Sequence, residues 1–176
     1  MIPFKKINYE QSDRYPKYIV IHHTDCLMKD KEFQYDENGM QVTKYHALNY
    51  RKTKSESNFH FIIEKQGSDY NAIVSQPILT KCKFPDLSEE FENSVHIAVF
   101  GNYNKDIPPN RLYEVIAYRV IVQLFRLFYL RETDVLLHTS ISSDPNVTCP
   151  GEFFEMSKLK SYIRKFKRTQ TIKRSK

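Results

Sequence analysis

The amino-acid sequence predicts a single α/β domain in which a central mixed β-sheet is flanked by helices. Short apolar runs with strand character alternate along the chain with amphipathic helical patterns, an arrangement typical of layered α/β folds. The chain has 176 residues, which suits one domain with a sizeable core and is short for two. Hydrophobic residues make up 40% and aromatic residues 14%, so we expect a compact globular protein rather than a disordered chain.

Four short segments predict the strands of the sheet. Three of them are apolar runs rich in β-branched and aromatic residues, and turn residues such as Gly67 and the pair Gly101-Asn102 end two of these runs. The three runs are residues 17–23, 58–64 and 95–100, and a last short strand is expected at residues 134–138. Because these segments are more apolar than their surroundings, we place them at the centre of the sheet.

Two amphipathic patterns predict the main helices. After Pro108-Pro109-Asn110, apolar residues recur at spacings of three, four and seven, so this helix is expected to cover the sheet. These residues are Leu112, Val115, Ile116, Val120, Leu124, Leu127 and Phe128. A terminal helix is predicted from a similar pattern between Phe153 and Phe166. The polar stretch of residues 25–57 is expected to be a long loop with a short helix at residues 42–50.

The chain is basic, and its excess of positive charge is concentrated at the C-terminus. The formal net charge is +6 and the isoelectric point is about 9.1. A nucleic acid, an anionic membrane surface or an acidic cell-wall polymer would each suit this charge, which does not choose among them. We assign residues 1–166 to the folded domain and residues 167–176 to a basic tail, expected to be solvated and frayed.

The cysteines and the apolar runs bear on whether the protein is secreted or inserted in a membrane. Cys26, Cys82 and Cys149 are odd in number and lack the spacing of a disulfide framework, so a disulfide-stapled secreted domain is disfavoured. The sequence shows no apolar core of a signal peptide and no run long enough to cross a membrane. We therefore expect a protein without a transmembrane segment or an export signal of its own, made in the cytoplasm and delivered to any extracellular target by another route, or encoded by a phage or prophage. We also expect a monomer.

Two histidines and one cysteine form a candidate metal site. His22 and His138 each end an apolar strand, where a rigid scaffold can hold an imidazole in fixed geometry, and Cys149 lies in a proline and glycine loop before a helix. Three protein ligands with the fourth position left to water are typical of a catalytic zinc site, whereas a structural site fills all four positions with protein atoms. The pattern therefore predicts a zinc cleft at the strand ends.

Several short motifs carry a resemblance to a known family. They are Ile21-His22-His23-Thr24, Phe59-His60-Phe61-Ile62-Ile63, Ile97-Ala98-Val99-Phe100-Gly101-Asn102-Tyr103, His138, and Thr148-Cys149-Pro150-Gly151. In order and spacing, the motifs resemble the zinc N-acetylmuramoyl-L-alanine amidases, a family that includes phage lysozyme-type amidases and peptidoglycan recognition proteins. The resemblance spans roughly residues 17–165.

The resemblance implies a reaction, a cofactor and a partner. It makes His22, His138 and Cys149 the ligands of Zn²⁺ and makes peptidoglycan or a muropeptide the partner. The family hydrolyses the amide that joins the lactyl group of N-acetylmuramic acid to L-alanine of the stem peptide. In such sites the metal polarises the carbonyl and lowers the pKa of water from about 15.7 towards 7. A role in cell-wall degradation, as in phage or prophage lysis, would follow.

The chain departs from the family at three positions that usually help catalysis. Phe59 occupies a position that is often tyrosine, Val147 a position that is usually lysine or threonine, and Ala98 a position where one branch has glutamate. The candidates to replace them as base or oxyanion partner are His23, Asp144 and Thr148. The candidate substrate-binding residues are Tyr45, Phe59 and Tyr103.

Two other functions remain open at this stage. Without the usual helpers, the same fold and zinc site would suit a module that recognises muropeptide without cleaving it. A nucleic-acid-associated protein is supported only by the charge and the tail, and we disfavour it. The remaining histidines of apolar segments, His60 and His96, together with His46, are interpreted as structural residues rather than ligands.

Overall fold

A computed structural model describes residues 15–24, 33–35, 41–43 and 59–174 of the chain. Five strands in these ranges form one sheet, and two further short strands pair with each other. In chain order the strands are β1 (Ile19–His23), β2 (Phe33–Tyr35), β3 (Gln41–Thr43), β4 (Phe61–Gln66), β5 (Asp69–Val74), β6 (Val95–Val99) and β7 (Val135–Leu137). The β2–β3 pair is antiparallel and separate from the main sheet.

The main sheet is mixed, with β1 near its centre. The strand order is β5-β4-β6-β1-β7. Strand β1 runs parallel to both β6 and β7, and β4 runs parallel to β6, whereas β5 is an antiparallel edge strand joined to β4 by a tight hairpin. The hairpin turn uses Gly67 in the left-handed region, at φ 59°. The predicted fold class, a single α/β domain with a mixed sheet, is confirmed.

One long helical stretch and the terminal helix pack together beside the sheet. The stretch comprises α1 (Asn110–Val115), a π-helical segment (Ile116–Ile121) and α2 (Val122–Phe128), and it ends where Tyr129 adopts a left-handed conformation at φ 56°. Helix α3 (Met156–Arg174) packs on the stretch through Leu159 and Ile163. Its backbone remains helical through most of residues 167–176, which we had assigned to a frayed tail.

The π-helical segment explains one difference from the predicted helix face. Most of the predicted apolar positions are buried, but Leu127 is 62% exposed. A π turn contains one more residue than an α turn, so it rotates all later side chains about 100° around the helix axis relative to an uninterrupted α-helix. Beyond Ile121, Leu124 is still buried and Phe128 packs against the core, so Leu127 is the predicted position that the rotation turns to solvent.

Side-chain alternation divides the sheet into a helix-covered face and a face that carries histidines. On β1, Ile19 and Ile21 belong to the large core with the helices, so His22 projects from the opposite face. On β6 the residues that belong to this core are Val95, Ile97 and Val99, which leaves His96 on the face of His22. Every residue of β6 is buried, as expected for a strand covered on both faces.

The ends of two predicted elements differ from expectation. The last strand covers only Val135–Leu137, because 3₁₀ turns occupy Glu132–Asp134 and His138–Ser140 on either side. Strand β3 occupies the position where we predicted the start of a short helix, and the remainder of that predicted helix lies outside the described residues. Within the described ranges, no helix has the length and apolar character needed to span a membrane.

Gly151 holds the loop before α3 against the backbone that follows β6. Its φ is +109°, and a Cβ built there would lie 2.3 Å from the carbonyl carbon of Tyr103. We predict that Gly151→Ala lowers the free energy of unfolding by about 2 to 4 kcal/mol, because the methyl group adds an overlap to a strained φ. Chemical denaturation measures this change.

Gly67→Ala is the matched control for that prediction. Gly67 also has a positive φ, of +59°, but a Cβ there meets no atom within 4 Å. We expect this variant to lose only about 1 kcal/mol, the cost of a left-handed non-glycine residue. Equal losses in the two variants would show that the contact with Tyr103 does not matter.

Candidate metal site and cleft

Three side chains that could bind a metal meet where β1 and β7 end. His22 lies on β1, His138 directly follows β7, and Cys149 lies in the loop that leads to α3. One donor atom from each of the three lies within 4.8 Å of the other two. The histidines meet because β1 and β7 are neighbouring parallel strands whose carboxyl ends share one edge of the sheet.

His22 is fully enclosed and is held by a second histidine. Its Nε2 lies 2.9 Å from Nδ1 of His96, and its ring stacks on Phe84 with a centroid separation of 4.7 Å and an interplanar angle of 16°. Burial lowers the pKa of His22 well below its ordinary value, and the neighbouring His96 and His138 lower it further. The ring is therefore neutral near pH 7, and its Nδ1 remains to bind a metal.

A carboxylate lies beside the ring of His138, although Nε2 has no partner in hydrogen-bond geometry. Its Nε2 lies 2.8 Å from Oδ2 of Asp86, and the same oxygen accepts a hydrogen bond of 2.5 Å from Ser142 Oγ. Burial lowers the pKa of His138, while Asp86 opposes this effect. Burial raises the pKa of Asp86, but the hydrogen bond from Ser142 and the charge interaction with His138 lower it overall, so the carboxyl group is ionised.

The loop carrying Cys149 is fixed through its backbone. The amide of His23 donates a hydrogen bond of 3.2 Å to Cys149 Sγ, which favours the thiolate form that binds metals. The carbonyl of Cys149 accepts a hydrogen bond of 2.8 Å from the amide of Thr139, which connects the loop to the residue after His138. The Cys149-Pro150 peptide bond is cis.

This arrangement fits a zinc ion. Nε2 of His22 is hydrogen-bonded to His96, and Nε2 of His138 lies 2.8 Å from the carboxylate of Asp86, outside hydrogen-bond geometry. One ring nitrogen of each histidine and the sulfur of Cys149 lie within 4.8 Å of one another. Two imidazole nitrogens and a thiolate are donors that zinc prefers, and a hydrogen-bond partner on the outer nitrogen is usual for a metal-binding histidine. The three side chains therefore fit a metal site with room for a further ligand.

The three side chains lie in a cleft of about 440 Å³. Besides them, it is lined by His23, Thr24, Phe59, Phe84, Asn104, Val147 and Thr148. Thr148 Oγ1 accepts a hydrogen bond of 2.8 Å from Nδ2 of Asn104, and Oδ1 of Asn104 accepts one of 3.1 Å from the amide of Glu152. Asn104 is thus held at both ends of its amide group.

Comparison with known proteins defines the fold. No protein-family model matches the chain, and no curated protein matches it. Among solved structures, the Ph2119 endolysin, from a bacteriophage of Thermus scotoductus MAT2119, is 16% identical, with 90% of this chain and 92% of that chain covered and a TM-score of 0.59. The N-acetylmuramoyl-L-alanine amidase LysC from Clostridium intestinale URNW is 19% identical, with 90% and 95% covered and a TM-score of 0.57.

A peptidoglycan recognition protein is similar to the same extent. PGRP-SA of bumblebee is 17% identical, with 89% of this chain and 86% of that chain covered and a TM-score of 0.57. The chain has the fold of these amidases and recognition proteins. The resemblance expected from the sequence motifs is therefore confirmed for the fold, which contains both lytic enzymes and recognition proteins.

The cleft contains some of the predicted catalytic and substrate-binding residues. His23, Thr148 and Phe59 line it, and the ring of Phe59 lies 5.3 Å from that of His22. Asp144 does not line it, because its carboxylate accepts hydrogen bonds from the backbone amide and the side chain of Asn146, at 2.9 and 3.0 Å, on the outside of the loop. Tyr45 lies outside the described residues.

Tyr103 is not a cleft residue, contrary to the sequence prediction. Its side chain is 1% exposed, and its hydroxyl donates a hydrogen bond of 3.1 Å to the carbonyl of Phe100. The ring enters the core because the turn at Gly101-Asn102 directs the chain back over the sheet, where Phe154 contacts it. Only the backbone of Tyr103 reaches the site, where its amide donates a hydrogen bond of 3.3 Å to Nδ1 of His23.

Four residues of the site escaped the sequence analysis. They are Phe84, Asp86, His96 and Asn104. His96 had a signal, because strand alternation and the register with β1 place it on the face of His22. The other three lie in irregular segments, where no periodic pattern indicates which side chains meet.

Asp86 provides a test of the metal site. We predict that Asp86→Ala raises the dissociation constant for zinc about 10- to 100-fold, because His138 loses the acceptor that orients its ring. Competition with a chromophoric chelator measures this affinity. Asp144→Ala removes a carboxylate from the neighbouring loop and should change the affinity less than twofold. An unchanged affinity in Asp86→Ala would remove Asp86 from the site.

Proposed function

We propose that the protein is a zinc-dependent peptidoglycan amidase, which hydrolyses the amide between N-acetylmuramic acid and L-alanine of the stem peptide. The observation that carries this proposal is the cluster of His22, His138 and Cys149, with His22 hydrogen-bonded to His96, His138 beside Asp86, and all three side chains lining one cleft. Its occurrence in the fold of amidases and endolysins supports the proposed substrate, and the lytic role of the endolysins suits it.

The three ligands supply the electrophile of the proposed reaction. Zinc bound by them would polarise the scissile carbonyl and make an attacking water more acidic. His22 and His138 contribute neutral imidazoles and Cys149 a thiolate. With Asp86 ionised behind His138, two negative charges compensate the double positive charge of the ion. This balance favours retention of the ion in a buried position.

Thr148 is suited to donate a hydrogen bond to the substrate. Because Nδ2 of Asn104 is already a donor to Thr148 Oγ1, the hydroxyl hydrogen of Thr148 is directed to another acceptor. Thr148 lines the cleft directly beside the ligand Cys149. We assign it the stabilisation of negative charge that develops on the carbonyl oxygen, the role of a donor in an oxyanion hole.

His23 is also suited to be a donor rather than a base. Its Nδ1 accepts a hydrogen bond from the amide of Tyr103, so the neutral ring carries its proton on Nε2. Since it lines the cleft together with Thr148, the two residues would offer donors to a bound carbonyl group. Of the three candidates for base or oxyanion partner, we therefore propose His23 and Thr148 as donors and give Asp144, which does not line the cleft, no role.

A recognition module is the second candidate function. Among the described residues that line the cleft there is no carboxylate to act as a base. Phe59 and Val147 line it with apolar side chains, and Ala98 is fully buried. A cleft rich in donors would bind the carbonyl groups of a muropeptide even if the reaction were slow. This interpretation would retain zinc and the partner but not hydrolysis.

Peptidoglycan digestion separates the two functions. We expect the zinc-loaded protein to release new amino groups of L-alanine from purified peptidoglycan without new reducing sugar ends, which a glycosidase would produce. EDTA treatment and Cys149→Ser should each abolish the release, and added zinc should restore it only in the treated wild type. Cys82→Ala changes a buried cysteine outside the cleft and should remain active.

The opposite result supports the recognition module. A protein that binds zinc and muropeptide, measured by calorimetry, but releases no amino groups in any preparation would contradict the amidase proposal.

Thr148 can be tested separately from the metal. We predict that Thr148→Val lowers kcat about 10²-fold, because it removes one donor from the developing oxyanion. Thr148→Ser keeps the hydroxyl and should retain most of the activity. Steady-state amidase assays measure kcat, and chelator competition should show that Thr148→Val binds zinc as the wild type does. A loss of zinc in that variant would assign Thr148 to the metal site instead.

A further inference from the structure

We propose that His96 is a positioning residue, which fixes the proton of His22 on Nε2 and thereby holds the Nδ1 lone pair of His22 towards the metal. The proposal rests on a line of hydrogen bonds in the buried face of the sheet, from the carbonyl of Phe91 through His96 to His22. It extends the proposed zinc function to a residue that does not touch the metal itself.

The carbonyl of Phe91 sets the direction of this line. It lies 3.1 Å from Nε2 of His96, and a carbonyl oxygen can only accept a hydrogen bond. His96 must therefore carry a proton on Nε2. The ring is completely buried, and its described polar contacts include no carboxylate, so a second proton would place an uncompensated charge in the interior and the ring carries only this one. Its Nδ1 is then an acceptor.

The proton arrangement of His22 follows from that of His96. Nε2 of His22 lies 2.9 Å from Nδ1 of His96. Since Nδ1 of His96 can only accept, Nε2 of His22 must be the donor. A neutral imidazole has one proton, so Nδ1 of His22 holds the lone pair, and His22 clusters with His138 and Cys149. The metal-free protein thus already has the tautomer that the metal requires.

A second buried histidine holds His96 in place. The amide of His96 donates a hydrogen bond of 3.0 Å to Nδ1 of His60, and Nε2 of His60 lies 2.9 Å from the carbonyl of Thr80. The tautomer of His60 is therefore also fixed by a carbonyl group. The rings of His60 and His96 stack with centroids 6.0 Å apart and an interplanar angle of 17°, and Phe84 covers His96 at 4.7 Å.

The two proposed ligand histidines, His22 and His138, thus differ in the residue that lies beside Nε2. His138 has the ionised carboxylate of Asp86, whereas His22 has a neutral imidazole. A neutral acceptor orients His22 without adding a third negative charge beside the thiolate and Asp86. This difference makes His96 a specific requirement of the site, because an apolar residue in its place would leave Nε2 of His22 buried without an acceptor.

Nuclear magnetic resonance of the metal-free protein tests the tautomers directly. In protein labelled with ¹⁵N histidine, two-bond couplings distinguish a protonated Nε2 from a protonated Nδ1, and single histidine variants assign the signals. We expect His22, His60 and His96 each to carry the proton on Nε2 at pH 7. A proton on Nδ1 of His22 would overturn the proposal, whether or not the protein cleaves peptidoglycan.

Three variants test the consequence for zinc. We predict that His96→Leu raises the zinc dissociation constant about 10- to 100-fold, the usual effect of losing a residue that orients a ligand. His96→Asn places an amide oxygen near the position of Nδ1 and should recover at least part of this loss. Cys82→Ala alters the same buried cluster, where Sγ lies 3.5 Å from Nδ1 of His60, without breaking the line to His22. It should bind zinc within twofold of the wild type.

The affinity measurements separate this proposal from the amidase proposal. Chelator competition reports zinc binding whether or not the protein is an enzyme, so inactive protein with the expected affinities would leave the role of His96 intact. An affinity of His96→Leu within twofold of the wild type, or an equal loss in Cys82→Ala, would overturn the proposal. Circular dichroism of the metal-free variants confirms that the compared proteins are folded.

Discussion

The candidate site depends on the parallel register of β1 and β6. Val20 pairs with His96, and His22 pairs with Ala98, so the two histidines lie two positions apart on one face of the sheet. This offset places Nε2 of His22 against Nδ1 of His96. A shift of either strand by one residue would move its imidazole into the helix-covered core and separate the two rings. The apolar residues of β1 and β6 that pack under the helices therefore determine where the imidazoles meet.

Two irregular segments supply the remaining residues of the candidate site. Residues 83–88 contribute both the ring that stacks on His22 and the carboxylate that orients His138, so one loop restrains both histidine ligands. The segment after β7 brings Cys149 to them and is held against the backbone of Tyr103 by Gly151. Long-range contacts therefore determine how the side chains of the cluster are oriented. The three residues of the cluster alone do not determine this orientation.

The sequence predicted four of the five strands of the sheet, all but β5, and the three candidate ligands because their signals are local. An apolar run that ends in histidine indicates a strand that reaches a site, and a cysteine in a proline and glycine loop indicates a fixed thiol. Asp86 and Asn104 gave no such signal, since their roles depend on which loops meet. Tyr103 was misplaced because the same motif is compatible with a ring in the cleft or in the core, and only the path of the turn decides.

Whether the protein acts as an enzyme or as a recognition module depends on the hydrogen-bond donors and the negative charges of the site. The polar groups assigned to the substrate, Thr148 and the Nε2 proton of His23, are donors, and donors stabilise both a bound carbonyl and a developing oxyanion. Binding and catalysis therefore share this part of the cleft. The thiolate of Cys149 and the carboxylate behind His138 both reduce the acidity that a metal confers on water. Because the partner of His22 is neutral, the acidity of the water is reduced less than it would be with a carboxylate in that position. His96 in this position therefore favours the chemistry of an amidase.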